Sequence, residues 1–164
     1  MCRAAMMTAL MCALGPLTIP VGPVPLSLAT LGVCLSGALL GAKRGVLATA
    51  LYLAIGAMGV PVFAGFSAGI QRLAGPTGGY LLGYLPCAAA VGLAVQRNLP
   101  LKPAMALGMF ACYGLGTAWF MAQTGAGFSG AMAVCVLPFL PGDVLKICAA
   151  DAAAKAMKKG PAFR

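Results

Sequence analysis

Histidine is absent from this chain, and acidic residues are confined to Asp143 and Asp151. There is no CxxC pair among the seven cysteines, so the ligand sets of zinc sites are missing. Those cysteines (Cys2, Cys12, Cys34, Cys87, Cys112, Cys135 and Cys148) are scattered through apolar runs. They read as small packing residues, not as a disulfide framework. Acid–base chemistry would rest on two aspartates eight positions apart, and no nucleophile–base pair or phosphate-binding loop is present, so an enzyme is disfavoured. No metal and no cofactor is expected.

Charge is scarce as well: 8% of the 164 residues are charged and 62% are hydrophobic. Soluble domains run at about 45–50% apolar and about 25% charged. A soluble chain of this length has too much of its volume near its surface to hide that much apolar area. Lipid is therefore the solvent for most of the chain. Net charge is +9, yet no basic stripe interleaved with exposed aromatics is present, which argues against nucleic acid as a partner.

What is present is a series of apolar helix candidates separated by breakers, organised as one membrane domain over residues 1–164. Residues 1–15 form the first candidate. Ala5, Ala9 and Ala13 recur at every fourth position there, a small-residue stripe that lets another helix approach closely in lipid. This segment also has the outline of a signal peptide, with a weak cleavage site at Gly15. Residues 16–25 hold four prolines and form a connector. Residues 26–40 and 46–58 are the second and third candidates, joined by a basic turn at 41–45. A long loop rich in glycine follows over 59–79. Residues 80–96 and 103–123 are the fourth and fifth helices, joined by another basic turn, with Pro103 at the first helical position. The stretch 131–137 is too short to cross a bilayer, which takes about 20 apolar residues. The last helix starts near Pro141.

Six spans with both termini in the cytoplasm put Arg3, Lys43, Arg44, Arg97, Lys102, Lys155, Lys158, Lys159 and Arg164 inside, and leave only Arg72 in an outer loop. The expected class is an all-α integral membrane protein of the plasma membrane. In the outer half, the loop at 59–79 must pack on protein or line a wet cavity, because unpaired backbone groups are costly in hydrocarbon. In the motif GPTGGY, Gly78 and Gly79 offer close backbone approach, Thr77 and Tyr80 offer hydroxyls, and the helix start offers unpaired N–H groups. In LPGDVLK, Asp143 falls in a first helical turn with Lys146 three residues on, sharing its face. Charges within a membrane helix usually face a cavity, a partner or each other. Asp151 has Lys155 four residues on and neutralises itself.

GPTGGYLLGY followed by LPGDVLK, with PVPLSLATLGV and LGAKRGVLATALYLAIGAMGVPVFAGF before them, resembles the biotin-specific S component of energy-coupling factor (ECF) transporters, the BioY family. The resemblance implies a six-transmembrane-helix bundle of the ECF S-component type that captures biotin from outside. It implies a transmembrane coupling subunit and two ATPase subunits as partners. It also implies docking of the coupling subunit through a stripe matched by Ala5, Ala9 and Ala13. The family's pocket maps onto residues 75–80, Asp143 and Lys146. An Asn used by some members in the third loop has no counterpart here, leaving Gln71 or Ser67 to replace it. Asp143 is expected to accept from a ureido N–H, with Lys146 keeping it charged or donating to the carbonyl. Arg72 is expected to meet the tail carboxylate, and Phe63, Phe66 and Tyr84 to cover the rings. The competing readings are an S component for another vitamin, or a small passive facilitator or channel.

Overall fold

A computed structural model describes residues 2–19, 26–136 and 139–159. Residues 20–25 of the first connector, residues 137–138 and the basic terminus at Arg164 lie outside that set. The helices are α1 (Cys2–Leu14), α2 (Ala29–Ala57), α3 (Ile70–Ala74), α4 (Gly78–Gln96), α5 (Leu101–Thr124), α6 (Phe128–Cys135) and α7 (Leu140–Lys159). Two-residue strands, β1 (Thr18–Ile19) and β2 (Leu26–Ser27), pair antiparallel in the first connector.

Helix α2 is helical from end to end except at Gly41, whose φ of +78° breaks it. A Cβ on Gly45 would lie 3.0 Å from the Cα of Gly37. Eight residues of straight helix would separate those positions by about 12 Å. The chain therefore doubles back at Gly41, and the basic turn expected at 41–45 is this corner. Its two arms are the second and third expected helices. With α1, α4, α5 and α7 they make six rods among the described residues. Among the described residues α4 and α5 are each long and apolar enough to cross a membrane, and α2 reaches that length only when its two arms are counted together.

Close packing of the rods rests on small residues. Along α4, Gly79, Gly83 and Cys87 recur every fourth position, and along α5 so do Gly108, Cys112 and Gly116. A Cβ at Gly83 would lie 2.9 Å from Cys112 Sγ, one at Gly108 would lie 3.0 Å from Cys87 Sγ, and one at Gly79 would run into Trp119. These contacts register α4 against α5 as an antiparallel pair. In lipid, where the apolar solvent gives helices no hydrophobic reason to associate, such contact is what draws them together. Helix α1 turns Ala4, Met7, Thr8 and Met11 into the bundle, and the Thr8 hydroxyl lies 3.0 Å from the Ala48 carbonyl of α2. Met7 and Met11 are thus core residues. Ala5, Ala9 and Ala13 are exposed on the opposite face.

Several boundaries differ from the expectation. Helix α4 begins at Gly78 instead of residue 80, and α5 begins at Leu101, so Pro103 is its third residue, still within the first turn where its missing N–H is harmless. The loop at 59–79 is not structureless. It contains a 3-10 turn at Ala64–Phe66 and the short helix α3, and it is tied down by Gly69 N–H donating to Gly56 O at 2.8 Å. The ambiguous stretch after α5 forms α6, eight residues long and too short to span.

The basic turns gather at one end of the bundle. Gly41 lies against Gln96, its would-be Cβ 3.0 Å from Gln96 Nε2, which sets the corner with Lys43 and Arg44 beside the turn with Arg97 and Lys102. Arg3 and Arg44 line a common recess there. The first residues of α2, α4 and α7 all lie at the other end.

Candidate functional site

Lys146 is the hub of that other end. Its Nζ lies 3.1 Å from Asp143 Oδ1, donates to the Ser27 carbonyl at 2.7 Å and to Thr30 Oγ1 at 3.1 Å. An ammonium has three N–H donors, so all three are taken. Asp143 is 7% exposed and Lys146 6%, so the pair is withdrawn from solvent. The helical spacing of three residues brings the two side chains together on one face of α7. Ser27 in turn is fixed locally: its hydroxyl donates to Gly15 O at 3.0 Å and accepts from Ala29 N–H at 3.0 Å. The start of α2 and the first turn of α7 are thereby clasped together. Among the described residues, Asp143 Oδ2 accepts no hydrogen bond.

This clasp forms one wall of a cavity of about 60 Å³. Tyr80, Tyr84 and Cys87 of α4 line it, with Met109, Cys112 and Tyr113 of α5 and Cys135, Phe139, Asp143 and Lys146 further on. The Tyr80 hydroxyl is 3.1 Å from Thr117 Oγ1, which fixes that ring. A second recess of about 50 Å³ shares Ser27, Tyr80 and Tyr84 with the first and adds Phe63, Ala64, Ser67, Arg72 and Thr77. Both are well below the range of about 300–1,000 Å³ typical of small-molecule sites, so the slot is narrow as it stands. The arrangement is a largely apolar slot with a buried carboxylate in one part and a guanidinium in the other. Arg72 is exposed and has no ion-pair partner among the described residues. No group of three His, Cys, Asp or Glu side chains among them is placed to hold a metal ion.

Of the residues singled out in the sequence, Asp143, Lys146, Tyr80 and Tyr84 meet at the first cavity, and Phe63, Arg72 and Thr77 line the second recess with both tyrosines. Phe63 is 2% exposed and stacks edge-on to Tyr52 with centroids 5.7 Å apart. Four expected residues are elsewhere. Phe66 is 70% exposed at a φ of +58°, a backbone setting that turns it outward. Gln71 is exposed on α3 and lines neither space, whereas Ser67 does line the second recess. Gly78 and Gly79 line neither space: a Cβ on Gly78 would strike Leu73 and one on Gly79 would strike Trp119. Nor are the N–H groups at this helix start all free, since those of Gly78 and Tyr80 donate to the carbonyls of Gly75 and Thr77. The GPTGGY glycines therefore serve helix packing, and Trp119 Nε1 fixes the motif by donating to Gly75 O at 2.9 Å.

Ser27 and Thr30 are not singled out by sequence reasoning, although both sit in the stretch PVPLSLATLGV. Their signal is a pair of hydroxyl residues three apart at the opening of an apolar helix. Cys87, Cys112 and Cys135 are missed as well: they pack as expected but also line the cavity.

Comparison with known proteins places this geometry. The family model described as the BioY family matches residues 1–162. The "Biotin transporter BioY" of Thermotoga maritima is 39% identical over 146 residues, covering 88% of this chain and 77% of that one. The "Probable biotin transporter BioY" of Pyrococcus horikoshii is 38% identical over 134 residues, covering 82% of this chain and 80% of that one. The crystal structure of the S-component for biotin from an ECF-type ABC transporter superposes with a TM-score of 0.91 at 28% identity, covering 99% of this chain and 92% of that one.

The clasp makes the two charges interdependent. Replacing one partner of a buried pair leaves an uncompensated charge and costs about 3–5 kcal/mol. Lys146→Met is expected to lower the thermal unfolding midpoint in detergent sharply, and the double variant Asp143→Asn/Lys146→Met to regain most of the loss. Strictly additive losses across the four proteins of this cycle would show that the pair is not coupled.

Proposed function

The chain belongs to the BioY family, and from that premise we propose that it is the biotin-capturing S component of an ECF-type ABC transporter. It is a multi-pass membrane protein of a transporter family, and biotin is its cargo, not a cofactor. The observation that carries this reading is the buried Asp143–Lys146 pair in the wall of a largely apolar slot.

Biotin offers a ureido ring with two N–H donors, an apolar bicycle and an aliphatic tail ending in a carboxylate. Asp143 Oδ2 accepts from a ureido N–H. Lys146 does not leave its three acceptors to reach the tail; it holds Asp143 ionised and in place. Tyr80, Tyr84 and Phe63 cover the apolar ring system, and Arg72 meets the tail carboxylate in the second recess. Thr77 and Ser67 add hydroxyls along the way.

Charge assigns the two ends of the bundle to the two sides of the membrane. The end bearing Arg3, Lys43, Arg44, Arg97 and Lys102 faces the cytoplasm under the positive-inside rule, with both termini, and the cavity faces out. Uptake takes place in assembly with a transmembrane coupling subunit and two ATPase subunits. The outward face of α1 with Ala5, Ala9 and Ala13 is the coupling surface, since it is exposed and built of small residues.

A hydrogen bond to a charged group contributes about 1.5–3 kcal/mol, so Asp143→Asn is expected to weaken biotin binding by roughly tenfold or more in isothermal titration of the purified chain; unchanged affinity would remove Asp143 from the site. For the coupling surface, Ala9→Trp is expected to leave biotin titration intact and to abolish co-purification with the coupling subunit. Assembly that survives this substitution would place the docking face elsewhere.

A further inference from the structure

The basic end of the α4–α5 pair carries a groove that the vitamin cavity does not reach. Ala90, Ala94 and Ala104 form its floor, and Leu93 and Leu107, 46% and 66% exposed, form its banks. Its volume is about 480 Å³. Arg97 is the charged residue in its lining, and Lys102 stands in the first turn of α5 just beyond. From Ala90 to Arg97 the groove runs about 10 Å along α4, by helical rise.

Neither cation is neutralised by an acidic side chain. The ion pairs among the described residues are Asp143–Lys146 and Asp151–Lys155, which occupy both acidic residues of the chain. A lysine in a helix's first turn is also unfavourably placed against the helix dipole, and α5 has no acidic residue there to offset it. An apolar groove open to the membrane, with two uncompensated cations at its end, is complementary to one kind of molecule: a lipid with an acyl chain and an anionic headgroup.

We propose that this groove is a binding site for an anionic phospholipid, one acyl chain lying over Ala90 and Ala94 between Leu93 and Leu107, the phosphate between Arg97 and Lys102. The site is independent of the vitamin cavity and does not require the biotin reading to hold.

Native mass spectrometry of the detergent-purified chain, exposed to equimolar phosphatidylglycerol and phosphatidylcholine with matched acyl chains, tests this. Each basic residue near the surface favours anionic lipid about fivefold, so with two the wild-type chain is expected to retain phosphatidylglycerol over phosphatidylcholine by roughly thirtyfold, and the variant Arg97→Gln/Lys102→Gln to bring that ratio within about twofold. Ala90→Phe, which fills the groove, is expected to lower the number of retained phosphatidylglycerol molecules while the thermal unfolding midpoint holds. Equal retention of the two lipids by the wild-type chain overturns the proposal, as does a preference that survives the loss of both cations. Unchanged lipid retention in Ala90→Phe together with lost co-purification of the coupling subunit also overturns it, by giving the groove to a protein partner.

Discussion

An ammonium withdrawn from solvent must find its partners in the protein, and the placing of Lys146 follows from that demand. Its three donors are met by a carboxylate of its own helix, a backbone carbonyl and a hydroxyl from the opening of α2. Satisfying the charge therefore also sets the distance between the first connector and the last helix. The cavity is the space left beside that clasp. Because Lys146 is saturated, the chemistry on offer to a guest is the remaining face of Asp143, and a buried carboxylate wants a hydrogen-bond donor. A neutral ring bearing N–H groups suits it better than a second anion would.

The rest of the architecture follows from lipid as solvent. Helices that gain nothing from hiding apolar surface must associate by contact, and the glycine and cysteine positions along α4 and α5 allow it. Where those small residues meet, the pair is tight. Tyr80 and Tyr84, on the same helix, together with Tyr113 of α5, carry the bulk that walls the cavity. One pair of helices thus supplies a closed seam and an open slot by alternating residue size. The concentration of basic turns at the opposite end separates the two ends of the bundle electrically, so that the basic end and the cavity end share little chemistry.

Much of this is legible in the amino-acid sequence. The pairing of Asp143 with Lys146 follows from helical spacing, the reversal at Gly41 from a glycine-flanked basic turn, and the common face of Ala5, Ala9 and Ala13 from a four-residue repeat. What escapes is relational. Gly78 and Gly79 are visible as glycines, but their neighbours Leu73 and Trp119 are not, so close packing reads as room left to a ligand. Phe66 and Gln71 lie in a segment without periodicity, where local backbone geometry decides which way a side chain turns. Ser27 and Thr30 acquire their role only through a lysine more than a hundred positions away in the chain.

The most direct test is the position of biotin in a crystal of the loaded chain. A ureido nitrogen is expected within hydrogen-bond distance of Asp143, about 3.2 Å or less, with Lys146 still bound to Ser27 and Thr30. Biotin seated without touching Asp143, or Lys146 withdrawn from α2 to hold the tail carboxylate, would contradict the central role given to this pair.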